Sequence, residues 1–113
     1  MSTETQEQLE NKEITNRYRA LLRSMQDSAD NDDRKLIRKA FKLAQDAHSD
    51  VRRKSGEPYI LHPLEVAQIV AKEIGLGPVS VAAALIHDVV EDSEYTLEDI
   101  ERLFGEEIAR IID

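Results

Sequence analysis

The sequence predicts an all-α fold, a small helical bundle. Three observations predict it. Apolar residues recur at three- and four-residue spacing along most of the chain. Of the 113 residues 41% are hydrophobic but only 4% aromatic, with no Trp, so the core must be built from Leu, Ile, Val and Ala. Gly and Pro fall between the periodic stretches or at their starts, where they punctuate helices.

Residues 1–12 read as an acidic leader without fixed structure. Ile14, Tyr18, Leu21, Leu22 and Met25 then place a first helix over about 13–26. The polar stretch 26–33 reads as a loop ending in a helix cap. Leu36, Ile37, Ala40, Phe41, Ala44 and Ala47 form the stripe of a second helix that ends near His48. His48 itself reads as a structural or capping residue. Gly56 and Pro58 mark 49–61 as a loop. Pro63 opens a third helix, and Gly75 with Gly77 ends it. Pro78 opens a fourth, from Val79 to about Val90, apolar on nearly every side until His87, hence central and buried. Thr96 with Asp99 predicts a capped fifth helix, which Gly105 stops. A last helix runs from Glu106. No stop signal follows Ile108, Ile111 and Ile112, so this helix is expected to continue beyond Asp113. Its apolar face is expected to be exposed, a surface through which two copies could pair. The organisation expected is a leader and helix over 1–33 and the front of one helical domain over 34–113.

Charge and composition exclude several function classes. The net charge is −8, which argues against direct nucleic-acid binding. The charge is uneven: residues 34–62 carry net +5 and residues 63–113 net −9. A basic middle beside an acidic end suits a site that holds an anion on one side and a metal cation on the other. It also describes two ordinary solvated faces. There is no Cys, so disulfides, thiolate metal sites and Cys nucleophiles are excluded. No apolar run approaches a membrane span, and residues 1–11 lack the basic and apolar regions of a signal peptide. No membrane partner is expected, and the expected compartment is the cytoplasm.

Three groups of residues carry chemistry. His87-Asp88 follows Ala82-Ala83-Ala84-Leu85-Ile86, so the pair starts inside the protein. An ionised Asp is costly to bury unless it is paired or binds a metal, and a neutral His ring is a common metal ligand. Glu91 and Asp92 follow one turn later, over His87 and Asp88. The ordinary alternative is a helix end emerging into solvent, with His87 at the negative end of the dipole. His62, between Leu61 and Pro63, can project from a fixed backbone toward a neighbouring helix, or be a surface cap. Arg53-Lys54-Ser55-Gly56 offers a planar fork, a point charge, a hydroxyl and close backbone approach. These suit a phosphorylated, base-containing ligand, although a solvated basic loop has the same composition. The glycine spacing is not that of a P-loop.

The run Arg53-Lys54-Ser55-Gly56-Glu57-Pro58-Tyr59-Ile60-Leu61-His62-Pro63, followed by His87-Asp88-Val89-Val90-Glu91-Asp92, resembles the hydrolase domain of the RelA/SpoT bifunctional alarmone enzymes. The likeness covers roughly residues 34–113. It implies an HD-type helical domain that removes the 3′-pyrophosphate from guanosine tetra- and pentaphosphate (ppGpp and pppGpp) with manganese (Mn2+). By that likeness His62, His87 and Asp88 are metal ligands. Glu91 and Asp92 position or activate the attacking water. Arg53, Lys54 and Ser55 contact the guanine end and the phosphates. The family's fourth metal ligand, an Asp, has no counterpart before Asp113, so this chain is expected to bind metal weakly and to turn over little by itself. Another HD-type nucleotide phosphohydrolase and a non-catalytic regulatory module of the same fold stay open beside this reading.

Overall fold

The computed structural model describes residues 4–25 and 29–113. It is all-α, as the sequence predicts. The helices are α1 (Gln6–Ser24), α2 (Asn31–Ala47), α3 (Leu61–Gln68), α4 (Pro78–Ile86), α5 (Val89–Asp92), α6 (Leu97–Phe104) and α7 (Glu106–Ile112). Among the described residues the only extended pairing is an isolated antiparallel bridge between Arg52 and Pro58.

Helix α4 is the centre. Val81 to Ile86 are all buried, which accounts for its lack of a polar face. α2, α3 and α7 pack around it, and α1 packs on α3. The shared core includes Leu21 of α1, Ile37 of α2, Leu64 of α3, Leu85 of α4 and Ile100 of α6, each nearly or wholly buried.

Four helices depart from expectation. α1 starts at Gln6 rather than near residue 13, so 6–12 are helix and not leader. The Gln8 N–H donates to Thr5 Oγ1 and the Thr5 N–H donates to Gln8 Oε1, a reciprocal cap that satisfies two orphan donors. Asp30 and Asp33 cap α2 in the same way, and Thr96 with Asp99 cap α6 as expected. The rest of the loop expected over 26–33 lies partly outside the described residues. α3 starts at Leu61, with Pro63 in its first turn, and passes into a π-helical segment over Ile69–Ile74. Gly75 ends that segment with a left-handed φ of 75°, a conformation open to Gly at little cost. The helix expected to run to Val90 is broken: α4 stops at Ile86, His87 and Asp88 form a turn, and α5 follows.

The last helix also differs. Ile108 is buried and Ile112 half-buried, four residues apart on one face, while only Ile111 is largely exposed at 52%. The apolar face expected to be free is therefore mostly covered, because α7 packs on α4 and α6. Among the described residues no helix is long and apolar enough to cross a membrane.

Candidate functional site

The break between α4 and α5 makes the site. Asp88 has φ −95° and ψ −3°, in the sparsely used bridge between the helical and extended regions. The turn points both side chains of the His87-Asp88 pair to one side, toward the first turn of α3. There it meets His62, its ring centroid 6.1 Å from that of His87. One nitrogen each of His62 and His87 and one oxygen of Asp88 lie within 4.8 Å of one another, and all three residues are half-buried.

Hydrogen bonding sets the tautomer of His87. Its Nδ1 lies 2.6 Å from the Ala84 carbonyl, which can only accept, so Nδ1 carries a proton. In the neutral ring Nε2 then presents a lone pair. That nitrogen lies 3.1 Å from Asp88 Oδ2. Two acceptors at that distance repel unless a proton or a cation stands between them. Pinning the far ring nitrogen to a backbone carbonyl is how proteins orient metal-binding His.

Asp88 Oδ2 has a second partner. The Tyr59 hydroxyl donates to it at 2.7 Å. Burial, then the Asp88 carboxylate, pushes the Tyr59 phenol far up. The Tyr59 ring lies against His48, centroids 4.5 Å apart, and edge-on to His62 at 5.8 Å. His48 is the C-cap residue of α2 and its ring is 3% exposed. Burial pushes the His48 ring below its ordinary value, against the pull of Asp92 and Asp88.

The loop before α3 is a small hairpin. Gly56 N–H donates to the Arg53 carbonyl at 2.8 Å, Arg53 N–H to the Glu57 carbonyl at 3.0 Å, and Tyr59 N–H to the Val51 carbonyl at 2.9 Å. Gly56 has φ +101°, which side chains rarely allow, so this turn requires Gly. Arg52 reaches across to α1 and grips Glu10 with both terminal nitrogens, each at 2.7 Å. Its Nη1 also donates to the Gly56 carbonyl at 2.7 Å. This grip holds the Glu10 carboxyl down at about 2. Arg53, Lys54 and Ser55 ride on that turn beside Asp92, around an open hollow of about 510 Å³ that Tyr59 also lines. The Ser55 hydroxyl donates to Glu57 at 2.8 Å, and Arg53 lies 4.0 Å from the same carboxylate.

A sequence model described as HD domain matches residues 40–113. The chain belongs to the HD-domain family. The HD region is 49% identical over 78 residues to a probable guanosine-3′,5′-bis(diphosphate) 3′-pyrophosphohydrolase of Synechocystis, covering 69% of this chain and 10% of that protein. It is 47% identical over 79 residues to the bifunctional (p)ppGpp synthase/hydrolase SpoT of Escherichia coli K12, covering 70% of this chain and 11% of that protein. A probable GTP pyrophosphokinase of Mycobacterium leprae is 45% identical over 78 residues, covering 69% of this chain and 10% of that protein. The resemblance to the RelA/SpoT enzymes is thus borne out. The chain spans about a tenth of the length of these curated relatives.

Within this HD domain the fold brings His62, His87 and Asp88 into one cluster, and Asp92 into the hollow of Arg53, Lys54 and Ser55. It does not tie Glu91 to either group: that side chain is exposed, with no hydrogen bond or ion pair among the described residues. The loss of strict i, i+4 stacking at the break separates it from His87. Tyr59 was missed by sequence reasoning. Its place in the motif run, three residues before His62, was the available signal.

Proposed function

We propose that this HD domain hydrolyses the 3′-pyrophosphate of ppGpp and pppGpp with the help of a divalent cation, Mn2+ in preference, in the cytoplasm. The observation that carries the reading is the cluster of His62, His87 and Asp88 within 4.8 Å, adjoining through Tyr59 and Asp92 a turn that bears Arg53 and Lys54. Cation donors thus adjoin anion donors, as an ester of pyrophosphate requires.

The donor set fits such an ion. It offers nitrogen and oxygen and no sulfur, which suits manganese-class ions over thiolate-selected ones. With the His87 ring neutral, Nε2 and Asp88 Oδ2 face each other as two acceptors at 3.1 Å, a contact that a proton or a metal cation between them relieves. When bound, a divalent cation polarises phosphoryl oxygens and makes water acidic enough to attack near neutral pH.

The chain's own residues supply the rest. Arg53 stacks on or forks toward the guanine and phosphates, and Lys54 adds a point charge. Ser55 must leave Glu57 to reach a phosphate oxygen, an exchange of one hydrogen bond for another. Asp92 lines the same hollow as that turn and Tyr59, and there a carboxylate can accept a proton from the attacking water. Glu91 is exposed and tied to neither group, and its part in positioning the water rests on the resemblance alone.

The three donors are one short of the four that the resemblance implies, so turnover by the 113 residues alone is expected to be slight. The test compares pyrophosphate release from ppGpp, with Mn2+ present, by this chain, by a chain continued through the helices that follow in the relatives, and by the continued chain carrying Asp92→Ala. Turnover by the continued chain, lost in Asp92→Ala, is expected. Preference for another nucleotide in a panel would move the function to a different phosphohydrolase. Equal turnover by the short and continued chains would show that no further ligand is needed.

A further inference from the structure

The oddest side chain in the molecule is His48. Its ring is buried, and among the described residues neither Nδ1 nor Nε2 has a hydrogen-bond partner. Buried polar atoms without a partner are costly, and such groups call for an explanation. What the His48 ring does lie against is the Tyr59 ring, tilted 37° to it. Tyr59 is fixed from three other directions. Its N–H is bonded to Val51, its ring edge meets His62, and its hydroxyl reaches 29 residues along the chain to Asp88.

Resting on the metal-site reading above, we propose that Tyr59 is a positioning residue: its hydroxyl, with the ring seated on His48, fixes the Asp88 carboxylate in its ligating orientation. The reason lies in the geometry of Asp88. Its backbone sits at the helix break, so the ordinary helical packing that restrains χ1 is absent on one side. Without Tyr59, Oδ2 faces only His87 Nε2, which in the neutral ring is a lone pair and holds nothing. With Tyr59, Oδ2 has a hydroxyl donor independent of His87, and Asp88 does not swing. Outer partners of this kind typically contribute about 10- to 100-fold in metal affinity. Tyr59 also lines the hollow of Arg53, Lys54 and Ser55, so one ring touches both halves of the site. The His48 ring supplies a flat seat there at the end of α2.

Two variants of the full chain separate hydroxyl from ring. Tyr59→Phe keeps the ring contact with His48 and the edge contact with His62 and removes only the donor. His48→Phe keeps an aromatic seat and leaves the donor. Mn2+ is titrated into each by calorimetry, and melting is followed without metal. Tyr59→Phe is expected to weaken Mn2+ binding by about 10- to 100-fold with melting close to wild type, and His48→Phe to bind within about 3-fold of wild type. Equal or tighter binding by Tyr59→Phe would overturn the proposal while leaving the metal site standing, provided His87→Ala still abolishes binding. Equal losses in both variants would also overturn it, since packing rather than the hydroxyl would then be at work. Absence of Mn2+ binding by the wild-type chain overturns the metal-site reading and this inference together.

Discussion

The two halves of the site are built on opposite plans. His87 and Asp88 stand at the end of the most buried helix, with Ile86 before them and Val89 after them fully enclosed. His87 is pinned to Ala84 and Asp88 to Tyr59, so their directions are set by packing and short hydrogen bonds. Arg53, Lys54 and Ser55 lie on an exposed turn. The backbone of that turn is held by its own hydrogen bonds and by the Arg52 grip on Glu10, while the Arg53 and Ser55 side chains meet only Glu57 of the same turn and Lys54 is exposed. On the proposed function, the half that would take the cation is ordered before any ligand arrives, and the half that would take the anion must be ordered by its ligand, at a cost in side-chain freedom. Substitutions should therefore be all-or-none in the first half and graded in the second.

The largest effect is expected at His87. With two nitrogens and one oxygen as donors, removing one leaves too few to hold an ion against water. His87→Ala should abolish Mn2+ binding, read as loss of heat in calorimetry. The fold should survive, since the ring is half-buried and the enclosed residues around it are unchanged. A wild-type affinity in His87→Ala would break the comparison at its root, because no cation half would exist.

The intermediate effect is expected at Arg53. Its guanidinium is 43% exposed and only loosely paired, at 4.0 Å, with Glu57. Losing a charge-assisted contact costs about 1.5–3 kcal/mol, or about 10- to 160-fold in binding. In the continued chain Arg53→Ala should raise KM for ppGpp by that factor and leave kcat and Mn2+ affinity near wild type. A fall in kcat with KM unchanged would mean that Arg53 acts on the reacting group instead of on binding.

The contrast also explains what the sequence made legible. α2 and α6 were readable because an apolar stripe and a local cap lie within a few residues of each other. The His-Asp pair and the basic turn were readable because their residue types are dense and local. The start of α1 was not, because residues 6–12 hold one apolar side chain, Leu9, which is 50% exposed. That turn is held by a reciprocal cap and by Glu10 meeting a residue 42 positions away. The break at His87-Asp88 was hidden for the same reason. Asp88 is held by a Tyr 29 residues earlier, and no local pattern records such a contact. His48 reads as an ordinary cap in sequence, and its orphaned ring appears only once α2 and Tyr59 are packed together.

The smallest effect is expected at Glu10, and it sharpens the comparison by touching one half only. Arg52 grips this carboxylate with two nitrogens, and the Glu10 side chain is 12% exposed against 51% for Arg52. The pairing holds the carboxyl at about 2 in the folded chain, below the ordinary 4.5. An unfolded chain therefore binds the proton more readily between those values, and stability from this pair rises with pH there. It is fully present above about pH 4.5 and is lost as pH falls through about 2. Glu10→Gln removes the titration but keeps the shape. Thermal melting of wild type and Glu10→Gln should differ by a small amount at pH 7, less so in high salt because the Arg52 side is open to solvent. The two curves should converge as pH approaches 2. In the continued chain the same variant loosens the turn that carries Arg53, so KM for ppGpp should rise modestly while Mn2+ affinity stays put, because Asp88 is held by Tyr59 and not by Arg52. A melting difference that does not shrink on acidification would mean that Glu10 acts through packing. A matching loss of Mn2+ affinity would mean that the two halves are one rigid unit, and that the contrast between them is false.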